Sequence, residues 1–111
     1  MIRAVIFDLD NTLTDFVVMK DQAIGAAAHA MYDMGLPLSP EEAASRIYAI
    51  YDQEGIEYQS VFDHLLRDVY GHVPASILAA GIIAYRKSRD STLVLYPHVK
   101  LTLMELLRRG I

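Results

Sequence analysis

Ala4-Val5-Ile6-Phe7-Asp8-Leu9-Asp10-Asn11-Thr12-Leu13-Thr14-Asp15 is the stretch on which the fold turns. Its apolar run predicts a strand over Arg3 to Phe7, and two acids follow at the carboxyl end. Open α/β sheets bind their ligands at that end of the strands. With a period of two, Asp8 and Asp10 point to one side and Phe7 and Leu9 to the other. The two carboxylates therefore converge on one small volume. Such a pair can hold a hard divalent cation through oxygen, or divide nucleophilic and acid/base work between its members. Packing explains neither acid, since a carboxylate after Val5-Ile6-Phe7 is costly to bury without a partner.

Phe7-Asp8-Leu9-Asp10-Asn11-Thr12-Leu13 resembles the first motif, D-x-D-x-T, of the haloacid dehalogenase-like (HAD) hydrolases. The resemblance implies that Asp8 is a nucleophile forming an aspartyl-phosphate and also a ligand of Mg²⁺. It implies that Asp10 protonates the leaving alkoxide, deprotonates the hydrolytic water and offers its backbone carbonyl to the metal. Thr12 would position Asp10 or the turn, and Asn11 would sit where backbone N–H groups face the phosphate. A carbon–halogen bond supplies a leaving group that needs no proton, whereas an alkoxide needs one. Asp10 thus favours phosphoryl chemistry over dehalogenation, and a phosphomutase, which shares both acids, stays open. Further along, Tyr96-Pro97-His98-Val99 and the amphipathic segment ending Arg108-Arg109-Gly110-Ile111 resemble the helix leading into the family's second core strand. The family's later motifs are expected beyond Ile111, and Lys20, Lys87 and Lys100 all precede the place of its phosphate-steadying lysine.

Between these two stretches the chain reads as four helices. The first spans about Val18 to Met34, with Gly35 as a left-handed stop. Ser39-Pro40-Glu41-Glu42 starts the second, with Ser39 as cap, Pro40 at the first helical position and Glu42 reaching back in a capping box. It runs to about Asp52. The third covers about Tyr58 to Tyr70 and ends at Gly71. The fourth covers about Pro74 to Ser88, where Gly81 costs roughly 1 kcal/mol relative to alanine. From Arg89 to Pro97 the chain is expected to return to the core. The fold class is accordingly α/β: the first strand of a HAD-type Rossmann-like core, an inserted four-helix cap and a returning core helix, incomplete as given. Residues 1–15 and 92–111 would belong to the core and 16–91 to a cap of the family's C1 type. Helical patterning alone suits an independent four-helix bundle equally.

Across 111 residues, 53% are hydrophobic and 22% charged, which is the composition of a folded chain. A net charge of −4 gives no basic footprint for nucleic acid. Without cysteine there are no disulfides, thiol nucleophiles or cysteine metal sites, which fits a reducing compartment. No apolar run is long enough for a membrane span, and the cytoplasm is the default location. His29, His64, His72 and His98 lack zinc spacing and read as packing or surface residues. Phe16, Val17, Met19 and Lys20 lie where the chain enters the helices and could line a substrate, with Lys20 attracting an anion, but a hydrophobic staple and a solvated lysine are the preferred reading. Tyr48, Tyr51 and Tyr58 cluster in sequence, and helix packing explains them as well. Arg86-Lys87-Ser88-Arg89 reads as a basic helix end.

The first function these features imply is an Mg²⁺-dependent phosphatase acting on a small phosphorylated metabolite, with phosphoglycolate-like substrates as an analogy. The second is a non-catalytic fragment or helical interaction module, in which unpaired Val5 and Phe7 invite self-association through a missing sheet edge.

Overall fold

The computed structural model describes residues 2–7, 15–92 and 98–111. Five helices make up its regular structure: α1 (Phe16–Asp33), α2 (Pro40–Glu54), α3 (Val61–Tyr70), α4 (Ala75–Thr92) and α5 (Val99–Arg108). Helices α1 to α4 close into a ring, α1 against α4 and α2, and α3 against α2 and α4. Among the described residues α5 touches none of these four helices.

Local chemistry sets most of the helix ends. Asp15 caps α1 by accepting a hydrogen bond from the Val18 N–H at 3.3 Å. At the other end Gly35, with φ 111°, lets the Leu36 N–H reach the Met31 carbonyl and its own N–H reach that of Tyr32, which completes a Schellman motif. Leu36 is buried there and anchors the turn in the core. Ser39 accepts from the Glu42 N–H at 3.1 Å, with Pro40 at the first turn. Only half of the expected capping box forms, because the Glu42 carboxylate accepts from Arg46 one turn on instead.

Two boundaries depart from the sequence expectation. Helix α3 begins at Val61 rather than near Tyr58, since residues 55–58 are turned back by a bond from the Tyr58 N–H to the Gly55 carbonyl. Helix α4 continues four residues past Ser88 to Thr92, and the Ser91 and Thr92 hydroxyls both donate to the Ser88 carbonyl. Helix α4 thus takes up the first residues, from Arg89 on, of the stretch in which a return to a core is expected. The expected strand at Arg3–Phe7 is not formed: residues 2–7 carry no regular secondary structure, and no strand occurs among the described residues. A strand exists only through ladder bonds to a neighbour. The α/β expectation is therefore met in its helical part, five helices that suit an inserted cap, while a Rossmann-like core is not seen.

Apolar side chains fill the centre of the ring, with Ile24, Met31, Ile47, Leu65 and Leu66 fully buried. Alanines at 23, 27 and 28 bring α1 close to its neighbours. The sharpest contact is at Gly81, where a Cβ would lie 2.9 Å from Met31 Sδ and 3.0 Å from its Cγ. Gly81 is thus more than a propensity defect: its missing side chain is the space that Met31 occupies. Helices α1 and α4 run in opposite senses, since Lys20 near the start of α1 meets Tyr85 and Met31 near its end meets Gly81. Outside the ring, Ile2 and Val5 lie beside Leu101 and Leu106 of α5 around an open groove. Ile6 is 97% exposed, and Leu101 and Leu107 are also largely in solvent.

Candidate functional site

Asp8, Asp10, Asn11 and Thr12 lie outside the described residues. The described chain resumes at Asp15, whose carboxylate serves the α1 cap. Immediately beyond it, an open cleft of about 820 Å³ lies where the first turns of α1 meet the last turns of α4. Phe16, Met19 and Lys20 come from α1, and Ile82, Tyr85, Arg86 and Arg89 from α4. Both sets follow helical spacing, i, i+3, i+4 in α1 and i, i+3, i+4, i+7 in α4, so each presents one face. Tyr51, the loop around Glu57 and Tyr58, and Phe62 complete the wall.

Lys20 is the centre of this cleft. Its Nζ donates to the Tyr85 hydroxyl at 2.8 Å and lies 4.4 Å from the centroid of the Tyr51 ring and 5.1 Å from that of Tyr85. Phe62 meets Tyr85 edge-on, ring centroids 5.8 Å apart at 72°, and so fixes the ring that receives the lysine. Half-burial alone lowers the Lys20 pKa, but hydrogen bonding to Tyr85 and Tyr51, with their electrostatic attraction for the ammonium, outweighs it and holds the ammonium above its usual value. Lys20 is therefore charged at neutral pH. Among the described residues neither Lys20 nor Arg86 forms an ion pair, while Arg89 pairs with its neighbour Asp90. Glu57 is the one acid in the cleft wall among the described residues.

Several sequence expectations change here. Lys20 is held against aromatic rings rather than solvated, and Phe16 and Met19 line a cleft rather than only stapling a helix. Val17 points away and is half-exposed. The tyrosine cluster divides: Tyr51 and Tyr58 face the cleft, whereas Tyr48 donates to Asp21 on the outside. Tyr85, Arg86 and Arg89 were not expected as site residues, although their helical register with Ile82 was a legible signal. Of the histidines, His64 pairs with Asp68 at 3.4 Å and His72 Nδ1 meets the Tyr70 carbonyl. No cluster of three His, Asp or Glu suited to a metal occurs among the described residues. Nor is any described helix long and apolar enough to cross a membrane.

Comparison with characterised proteins brings phosphatases forward. The chain is 36% identical over 111 residues to the glyceraldehyde 3-phosphate phosphatase of Methanocaldococcus jannaschii, covering all of this chain and 49% of that protein. It is 34% identical over 110 residues to the glyceraldehyde 3-phosphate phosphatase of Methanothermobacter thermautotrophicus, again over 99% of this chain and 49% of the relative. A third such phosphatase, from Methanopyrus kandleri, is 34% identical over 112 residues and is covered to 48%. The chain thus spans about half the length of the curated relatives it matches. No protein-family model matches it.

Proposed function

We propose that the whole protein is a HAD-type phosphomonoester hydrolase, that this chain supplies its nucleophilic loop, and that α1 to α4 form its C1-type cap. The observation that carries this reading is the match, along essentially the full chain, to proteins named as phosphatases. Asp8-Leu9-Asp10-Asn11-Thr12 supports it independently, because it offers the two acids that phosphoryl transfer through a covalent intermediate requires. The substrate is a small phosphorylated metabolite, and glyceraldehyde 3-phosphate, named for the relatives, is the first to test.

In this mechanism an Asp8 carboxylate oxygen attacks phosphorus as the bond to the substrate oxygen breaks. Asp10 gives that leaving oxygen its proton. Asp10, now a carboxylate, then takes a proton from water, whose oxygen attacks the same phosphorus. Phosphate departs and the Asp8 carboxylate is restored. The donor set, the Asp8 carboxylate together with Asp10, is all oxygen and suits Mg²⁺. When bound, that ion would neutralise phosphate charge beside Asp8. The helical ring would cover the reacting group and exclude water.

The test is phosphate release by the full-length protein with Mg²⁺. Asp8→Asn is expected to abolish turnover, and Asp10→Asn to slow it by roughly 10²–10⁴-fold, the usual worth of a general acid–base group. Full activity in Asp8→Asn protein would refute the mechanism.

A further inference from the structure

We infer that the cleft between α1 and α4 is an anion subsite, in which Lys20, held by Tyr85 and Tyr51, anchors a carboxylate or phosphate group of a small metabolite. Three observations lead there. In a chain of net charge −4, three cations, Lys20, Arg86 and the Asp90-paired Arg89, line one cleft in which Glu57 is the single acid among the described residues. A lysine ammonium has three donors, and the Tyr85 and Tyr51 hydroxyls take at most two of them. Its remaining charge is met by aromatic faces rather than by a carboxylate among the described residues. Cation–π contact fixes the position of an ammonium without neutralising it, so the cleft holds a placed positive charge with a donor to spare. A carboxylate or phosphate oxygen is the chemistry that uses both.

Position gives the subsite its use. Five residues lie between Asp10 and Phe16, six Cα steps that span at most about 22 Å of fully extended chain. Resting on the proposed phosphatase reading, the cleft would receive the end of the substrate remote from the reacting phosphate. Lys20 is then a specificity-determining residue, favouring metabolites that carry a second oxygen-rich, anionic end.

The subsite can be tested apart from the reaction. The full-length protein carrying Asp8→Asn and Asp10→Asn is titrated, with EDTA present, with inorganic phosphate and separately with glycerate, while backbone amide shifts are followed by NMR. Saturable shifts are expected at Tyr51, Tyr58, Tyr85 and Arg86, and whichever probe binds more tightly identifies the anionic group preferred. Lys20→Met should weaken binding at least fivefold. Should that variant fail to fold, Arg86→Gln on the exposed face of α4 should weaken it about twofold to fivefold. Absence of saturable shifts for both probes, or affinities in both variants equal to the parent's, would overturn the inference. Since both reactive acids are removed, this result is independent of whether the whole protein hydrolyses phosphate esters.

Discussion

Replacing Gly81 by alanine sets two opposed effects against each other at a single atom. Helix propensity favours alanine by about 1 kcal/mol in a helix interior. Against this, the new Cβ would stand 2.9 Å from Met31 Sδ and 3.0 Å from Cγ, inside van der Waals contact. Met31 is fully enclosed, so it can yield only by adopting a poorer rotamer or by moving α1 away from α4. Overpacking of this kind costs about 1–3 kcal/mol. The difference is a net loss of about 0–2 kcal/mol where the isolated helix would gain. A double-mutant cycle makes the cause explicit. Met31→Ala alone should cost about 2–5 kcal/mol through its cavity. With Gly81→Ala present as well, the added methyl group meets vacated space, and the pair should be less destabilising than the sum by about 1–2 kcal/mol. Urea denaturation followed by far-UV circular dichroism, at unchanged slope, measures all four corners. An increase in stability for Gly81→Ala, together with strict additivity, would show that the two side chains do not meet.

Ser39→Ala removes the acceptor of the Glu42 N–H and should lower stability by about 1 kcal/mol, read from the same urea midpoints. The pH dependence of Lys20 follows from the upward direction of its shift. A basic group raised in the folded state contributes stability that is complete below its unfolded value of 10.5 and lost as pH rises through the folded value. The difference in Tm between the parent and Lys20→Met should therefore be constant from about pH 6 to 9 and shrink above pH 10.5; a difference that changes within the neutral range would contradict the assigned charge state.

What could be read in the sequence was what local chemistry decides. Ser39-Pro40 and Gly35 fixed helix ends within a residue or two, because their work is done by atoms a few bonds away. The start of α3 was misplaced because its preceding turn is held by the Gly55 carbonyl, and the end of α4 because Ser91 and Thr92 hydroxyls extend it. Gly81 was legible only as a helix-propensity cost, since its packing role depends on Met31, fifty residues earlier. Of the cleft only the α1 side, Phe16, Met19 and Lys20, was legible, since Lys20 and Tyr85 are sixty-five residues apart and only the closure of the ring joins them. Asp8 and Asp10 are the reverse case, conspicuous in sequence and outside the described residues.

The Lys20–Tyr85 hydrogen bond carries one more implication. It ties the first turns of α1 to the last turns of α4, so the helical ring starts and finishes at nearly the same place. A unit with adjoining termini can be spliced into a loop of a host protein without stretching the gap it fills. Exchange of the whole segment, from Phe16 to Thr92, is thus a geometrically conservative change, and hosts sharing one chemical apparatus could trade such inserts as interchangeable parts.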